Sequence, residues 1–436
     1  MPVMEAVCPP LRGSNFQARN RRTFATTSKV ALSVRARPAQ QKVYNLLAVT
    51  TVLMNHKKPS IAIIGAGMGG LAAAGTLRRA GFEIQVYEQA PHFERIGAGI
   101  QMMPNSMKVL RRLGIEERLR ETSFMPYSHL NRVWDTGEVM RELPMPETLF
   151  GAPYLCMHRA DLHTALASVV PAESIHLNKK LTGLDQKETQ VTLSFADGSK
   201  ATAEAVIGAD GVHSLVRGIV AGPDAPIHKG RIAYRANFSS ALLKGRDIGP
   251  SRTKWWGIDR HIVIYYTKSD RSEIYFVTSV PEPAEWLTRE SWSAKGDVHE
   301  LRAEYEGFHA DVRAVLEACP DCHKWAILER EPLPRWSDGN VGLLGDACHP
   351  MTPYMAQGAA TAIEDAAILA RCFEESRGED IPGAFQLYEA NRKPRTSRIQ
   401  AISSANTWMR GGDDDTTWLY GYDAWNVPLT PVAQAV

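Results

Sequence analysis

The stretch Ser60-Ile61-Ala62-Ile63-Ile64-Gly65-Ala66-Gly67-Met68-Gly69-Gly70-Leu71-Ala72-Ala73-Ala74-Gly75 decides the fold. Its first five residues are a short apolar, β-branched run, the pattern of a strand buried on both faces. Glycines follow at 65, 67 and 70, and then a helix-forming segment that Gly81 closes. Gly65 permits the tight turn, Gly67 lets the backbone approach a pyrophosphate, and Gly70 lets helix and strand pack closely. The helix N-terminus offers free N–H groups and a positive dipole end to phosphate. The segment Glu83-Ile84-Gln85-Val86-Tyr87-Glu88 then reads as a second strand ending in an acid, 23 residues past Gly65. A carboxylate there can accept hydrogen bonds from an adenosine ribose. A glycine-rich turn alone is weak evidence; strand, loop, helix, glycine, strand and terminal acid in sequence are strong. With no Arg directly after Glu88, a free 2′-hydroxyl is expected, so the nucleotide is FAD or NAD in preference to NADP.

The rest of the chain bounds what surrounds this unit. Its 436 residues are 44% hydrophobic, enough for two or three domains with ample core. The net charge of +2 hides an asymmetry: the first 58 residues carry ten Lys/Arg and the single acid Glu5, net +9, which leaves −7 for the remainder. An acidic body gives no support to nucleic-acid binding, and no run of 18 apolar residues suggests a membrane span. The leader's Arg21-Arg22-Thr23-Phe24-Ala25-Thr26-Thr27-Ser28 has the composition of a mitochondrial presequence; alternatively the true start is Met54. Residues 1–58 are therefore expected to be a disordered basic leader or an over-extended start, with the cytoplasm as the location and mitochondrial targeting as the alternative. Six cysteines make no disulfide framework. Cys319-Pro320-Asp321-Cys322 has no second pair to complete a metal site and reads as the exit turn of a helix spanning roughly 298–318, so no metal is expected.

Three further segments choose between the dinucleotides. Arg159 stands before an amphipathic helix; 205–211, Ala-Val-Ile-Gly-Ala-Asp-Gly, is a strand with a small-residue turn; and 341–350, Val-Gly-Leu-Leu-Gly-Asp-Ala-Cys-His-Pro, is another, leading into a helix near Ala359. With these on the page the chain, from about Ser60 to Trp425, resembles the single-component aromatic-ring flavoprotein monooxygenases of the para-hydroxybenzoate hydroxylase type. The resemblance rests on three fingerprints in the family's order: Gly65–Gly70, Asp210-Gly211 and Gly345-Asp346.

That resemblance implies an α/β fold: a Rossmann-like FAD-binding domain (59–126, 155–228 and 325–436, with C-terminal helices) carrying an inserted mixed or antiparallel β-sheet substrate domain (127–154 and 229–324). It implies tightly but non-covalently bound FAD. Gly65, Gly67, Gly70 and Glu88 would hold its ADP half, Gly99 would line it, and Arg159 would meet the pyrophosphate. Asp210 and Gly211 would form a turn touching FAD and the transient reductant, Gly345 and Asp346 would hold the ribityl chain, and the helix start at Gly358 and Ala359 would lie beneath the pyrimidine ring. No second GxGxxG follows residue 100, so NADH (or NADPH) visits transiently. A homodimer is one open possibility for assembly.

In the substrate half, 261–267 and 273–278 alternate as antiparallel strands joined by the polar hairpin 268–272. Period two puts His261, Val263 and Tyr265 on one face, where an imidazole and a phenol can meet a ring; core packing explains the pattern equally well. The segments Lys254-Trp255-Trp256, Asp259-Arg260-His261 and Asn406-Thr407-Trp408 narrow the resemblance to the branch acting on hydroxypyridine carboxylates. This implies oxygen transfer from a flavin C4a-hydroperoxide, using O₂, that converts 6-hydroxynicotinate into 2,5-dihydroxypyridine with loss of CO₂. His261, Tyr265 and His349 are then the catalytic candidates, and Gln101, Arg252, His261 and Tyr265 the substrate contacts. Gln101 and Arg252 depart from that branch's pattern of a His and a Cys. They leave open another small aromatic carboxylate, such as salicylate, and a non-catalytic flavin-binding redox sensor stands as a third reading.

Overall fold

The strand Ser60–Ile64 is the centre of a six-stranded sheet, flanked by Glu83–Tyr87 on one side and Ala205–Gly208 on the other, both parallel to it. Beyond them lie Ile175–His176 on one edge and Val341–Leu343 then Ser337–Asp338 on the other, only the last pairing antiparallel. These are coordinates of a computed structural model, which describes residues 58–95, 98–282, 294–410 and 415–432; the expected leader lies outside the described residues. The helix Met68–Arg79 returns over the sheet and crosses the helix Gly358–Glu375 on small residues. A Cβ on Gly69 would come within 3.1 Å of Ala362, and Thr76 donates to the Ala366 carbonyl at 2.9 Å. The two alanine-rich helices can approach this closely because nothing large stands between them.

A second, eight-stranded sheet runs in the order Lys295–Gly296, Cys322–Glu329, Ile227–Ser239, Glu273–Pro281, His261–Tyr266, Arg252–Trp256, Ser128–Val133 and Val139–Pro144. All neighbours pair antiparallel except Arg252–Trp256 with Ser128–Val133. The sheet is therefore mixed, and the hairpin across 268–272 is present. Two boundaries drawn from sequence, at 228/229 and 324/325, fall inside the long strands Ile227–Ser239 and Cys322–Glu329.

Each sheet has its own hydrophobic core, and an antiparallel ribbon, Gly99–Met102 with Leu155–His158, lies between them. Its residues alternate: Met102, Leu155 and Met157 pack into the first core, whereas Tyr154 and Cys156 pack into the second. The ribbon therefore carries residues of the nucleotide half directly over the other sheet.

One expectation needs correction. The single helix expected over 298–318 is two, Val298–Glu304 and Ala310–Ala318. The chain breaks at Gly307, which sits against the Trp134 ring while Phe308 turns inward beside Tyr305. Glycine's helix cost and the burial of Phe308 both favour the break. Cys319 then caps the second helix and Cys322 opens a strand; both are buried free thiols, as are Cys156, Cys348 and Cys372. Among the described residues no helix is long and apolar enough to cross a membrane, and no cluster could hold a metal.

Candidate active site

The glycine loop is built as its spacing predicted. Gly65 has φ +103°, and a Cβ there would lie 2.4 Å from the Ala209 carbonyl oxygen. A Cβ on Gly70 would lie 2.0 Å from the Gly65 oxygen. Both positions therefore demand glycine for packing within the protein. Gly67 is different: nothing stands within 4 Å of its missing Cβ, so its backbone faces open space at the start of the helix. That helix has neither a side-chain cap nor an acid in its first turn, leaving its N–H groups for a ligand. Glu88 accepts from the Ala66 amide at 2.7 Å and the Ala90 amide at 2.9 Å, which aims its remaining lone pairs along the loop. His163, which sequence reasoning missed, ties the loop's Ala66 carbonyl to the helix Arg159–Ala167 at 2.8 Å.

Arg159 and Asp346 face the same cleft. Solvent reaches both, yet enough protein surrounds them that desolvation lowers the guanidinium's pKa and raises the carboxylate's. Among the described residues neither side chain has a hydrogen-bond partner, and each is within the other's electrostatic reach. A Cβ on Gly358, which begins its helix, would lie 3.8 Å from an Asp346 oxygen; Ala359 comes next, and that helix too lacks a side-chain cap. Gly345, at φ +64°, packs on Ala362, and its amide donates to Asp365 at 3.3 Å. An open glycine, two uncapped helix starts, an unpaired cation and an unpaired anion along one cleft fit a dinucleotide flavin: Arg159 toward phosphate, Asp346 toward sugar-chain hydroxyls.

Two cofactor expectations change. Asp210 accepts from Ser214 Oγ at 2.5 Å and from the Leu215 and Val216 amides at 2.8 and 3.2 Å, so its carboxylate caps the helix Leu215–Ala221. Gly211 in the same turn, at φ +78°, has nothing within 4 Å of its missing Cβ. Gly99 abuts the Tyr275 ring, and a Cβ there would lie 2.9 Å from Tyr265 Oη. It is small so that the ribbon can reach the sheet.

The sheet face beneath the ribbon follows from strand register. Arg252 is opposite His129 on one side, Lys254 opposite Asn131, and on the other side Lys254 meets Val263 and Trp256 meets His261. Tyr265 pairs with Tyr275 and His261 with Ser279. Residues opposite one another share a face, so this face presents His129, Arg252, Lys254, His261 and Tyr265 together, all buried. At one end Tyr154 donates to Gln101 Oε1 at 2.6 Å, and His129 stacks on Tyr154 with ring centres 4.6 Å apart. Arg252 has no ion pair or hydrogen bond among the described residues, and its Nε is buried without a partner.

This clustering of cations shapes the local acid–base chemistry. Burial, reinforced by Lys254, Arg231, Arg252 and Arg410, holds the His261 imidazole well below its ordinary pKa. The imidazole there favours its neutral form. His129 is depressed by burial and Arg252, and Lys254 by burial and three neighbouring arginines. Burial beside Tyr275 raises Tyr265 well above a normal phenol, although Arg252 and Gln101 pull the other way. His261 and Tyr265 are four residues apart on one strand, roughly 13 Å. Their Cα atoms therefore stand at different levels along the sheet face.

His349 is not on this face. It is 1% exposed and its Nε2 lies 2.5 Å from Asp365 Oδ2, within a buried network that includes Arg392 and Glu364. The residue of this segment that does reach the sheet face is Tyr354, whose ring meets His261 edge-on at 5.4 Å and whose hydroxyl is 3.1 Å from Ser279 Oγ. Tyr354, His129 and Tyr420 line a narrow cleft with Arg252 and Lys254, and none of the three was singled out as a site residue from the sequence.

A nucleotide cleft suited to FAD, joined by a ribbon to a buried cationic sheet face, defines an FAD-dependent hydroxylase. A family model described as an FAD binding domain matches residues 58–403, and the chain belongs to this family of FAD-dependent aromatic hydroxylases. It is 46% identical to 6-hydroxynicotinate 3-monooxygenase of Bordetella bronchiseptica over 375 residues, covering 85% of this chain and 97% of the relative. Identity to the Pseudomonas fluorescens enzyme of the same name is 44%, covering 86% and 97%. Among solved structures, a salicylate hydroxylase substrate complex is 25% identical with a TM-score of 0.73, covering 84% of this chain and 96% of that one. Klebsiella pneumoniae HpxO complexed with FAD and uric acid is 27% identical with a TM-score of 0.71, covering 81% and 89%.

Proposed function

We propose that this monooxygenase hydroxylates a hydroxylated pyridine carboxylate at the ring carbon bearing the carboxylate, converting 6-hydroxynicotinate into 2,5-dihydroxypyridine. The observation that carries the reading is Arg252: a buried guanidinium with no carboxylate paired to it among the described residues, on the sheet face next to the nucleotide cleft. A buried charge is retained when something pairs with it, and a carboxylate fits a guanidinium's fork of donors. In the overall reaction the carboxylate anion, O₂, NADH and two protons give the dihydroxypyridine, CO₂, water and NAD⁺. FAD, when bound, supplies the oxygen-transfer chemistry.

The chain's own residues bind, orient and exclude water. Arg252 anchors the carboxylate, and the Gln101–Tyr154 hydrogen bond together with Tyr265 fixes the wall around it. His261, held neutral, accepts a proton where a ring hydroxyl ionises. Tyr354, Trp408 and Tyr420 line the same cleft and would pack against a bound ring, excluding water. The 44–46% identity to two enzymes named for 6-hydroxynicotinate supports this substrate above salicylate, whose enzyme is 25% identical. Purified holoenzyme should oxidise NADH slowly alone and much faster with the right acid. Stimulation by 6-hydroxynicotinate supports the reading; stimulation by salicylate only, or by no hydroxylated aromatic acid, refutes it.

A further inference from the structure

The cleft around Arg252 and Tyr354 has a volume of about 10 Å³, room for roughly one water. A six-membered ring reaches it only when part of its wall moves. On most sides that wall is interior: His129, Met103 and Met355 are all buried. On one side it is a single turn. Residues 406–410, which leave the long helix Ile381–Ala405, contribute Trp408 and Met409 to this inner cleft. The same turn contributes Asn406 and Arg410 to a second cleft of about 170 Å³, open at the surface. The two clefts adjoin. Lys254, on the inner wall, reaches the outer one with Nζ 3.5 Å from the centre of the Trp256 ring and 3.4 Å from Asn406 Oδ1. Tyr354 of the inner cleft meets His261 of the outer one edge-on at 5.4 Å. The turn itself is built on two left-handed residues, Asn406 at φ +51° and Met409 at φ +58°, and is tied to the sheet by Asn131, which donates to the Met409 carbonyl at 2.5 Å. Releasing it breaks side-chain hydrogen bonds and leaves helix and sheet intact.

The outer cleft carries three arginines, Arg231, Arg260 and Arg410, against one carboxylate, Asp259. Arg260 is neutralised by Asp259 and Glu304. Arg231 is held by Ser279 and the Asp259 carbonyl, which fix its position and leave its charge. Arg410 is exposed over the Trp256 ring at 5.2 Å, and no carboxylate pairs with it among the described residues.

We propose, resting on the hydroxy-acid reading above, that this surface cleft is the port by which the anionic substrate enters, its carboxylate drawn in between Arg231 and Arg410 and passed inside as the turn 406–410 swings off the sheet. The charge of the chain gives such a port a purpose. Beyond residue 58 the protein carries a net −7 and repels an acid as a whole. A local cationic mouth reverses that repulsion at the one place where the inner cleft lies behind a movable turn. Arg410 then acts on the rate of entry, with no contact to the reacting atoms.

The test measures the second-order rate at which 6-hydroxynicotinate, and separately salicylate, perturbs the flavin absorbance of FAD-loaded enzyme on rapid mixing. At about 10 mM ionic strength Arg410→Gln should slow association roughly threefold and Arg410→Glu roughly tenfold, and at about 1 M salt the three proteins should converge. The turnover number at saturating acid should stay that of wild type. A second probe places the charge on the rim without touching the turn. Ile258 is 86% exposed at the cleft, and the five described native cysteines are all buried. Ile258→Cys should behave as wild type until it is modified: an anionic thiosulfonate adduct should slow association and a cationic one speed it. The same adducts on Ile219→Cys, exposed on the helix Leu215–Ala221 and lining neither cleft, should do nothing. The port stands only if both probes respond; association indifferent to charge at position 410, or equal with the two adducts at 258, overturns it. If an Arg410 variant fails to fold, the adducts decide alone. If wild type binds neither acid, the hydroxy-acid reading fails and takes the port with it; if it binds either one and ignores these charges, only the port falls.

Discussion

At the residue scale, the site turns on Arg252, buried and without an ion pair among the described residues. Removing Arg252 by substitution to Met should raise KM for the acid by roughly two orders of magnitude, because a charge-assisted bidentate bond to a desolvated carboxylate is lost. FAD content should stay unchanged, which steady-state kinetics and flavin absorbance together would check. His349 predicts the reverse pattern. Its imidazole holds Asp365 under the Gly345 turn, so His349→Asn should weaken FAD retention and lower the melting temperature. The pH profile of kcat should keep its shape, whereas a displaced profile would give His349 a part in proton transfer. The sequence made His261 and Tyr265 visible because a period-two strand declares its face, and Arg252 visible only as a departure from the pattern of the family it resembles. It could not assign His349 and Tyr354: they lie in and beside short 3₁₀ turns, Gly345–Ala347 and Pro353–Met355, where no simple period tells inside from outside.

At the scale of elements, the glycine loop separates two jobs that its motif merges. Gly70→Ala places a Cβ against the Gly65 carbonyl and should destabilise the fold itself, by about 1–3 kcal/mol of overpacking. Gly67→Ala meets no protein atom. It should leave the apoprotein's melting temperature within a degree or two while weakening FAD binding at least about tenfold, since the methyl occupies space the pyrophosphate needs. Equal effects of the two substitutions on apoprotein stability would contradict this division. Strand, loop, helix and strand were legible here because every step is local. The cationic face was legible only by halves: Arg252 lies opposite His129 and Lys254 opposite Asn131 through a parallel pairing of strands more than a hundred residues apart, and no pattern within either strand fixes that register. The break at Gly307 was missed for a related reason: Phe308 turns inward onto Trp134, a ring from a distant segment.

Across the whole molecule, the titration of buried histidines sets a stability window. Burial lowers His129, His158, His163 and His261 below their ordinary pKa. In the unfolded chain each takes up its proton near pH 6.5, before the folded protein does. The unfolded state then binds more protons, so stability is full above about pH 6.5 and falls as the pH drops below it. Melting temperatures of the ligand-free holoenzyme should accordingly decline between pH 7.5 and 5.5, well above the range of the carboxylates held low by their bases, Asp224, Glu364 and Asp365. An anionic ligand supplies the charge that the pocket lacks, and should raise the melting temperature. A flat profile from pH 7.5 to 5.5 would show that these imidazoles are not held neutral.

The central claim is that a buried cationic face beside the flavin turns over a pyridine hydroxy acid with loss of its carboxylate. It is tested most directly by supplying FAD-loaded enzyme with NADH, O₂ and 6-hydroxynicotinate labelled at the carboxyl carbon, and counting labelled CO₂ released per NADH consumed. The account predicts a ratio near one, with 2,5-dihydroxypyridine as the ring product. NADH oxidation without labelled CO₂, or a ring product that keeps its carboxylate, would contradict it.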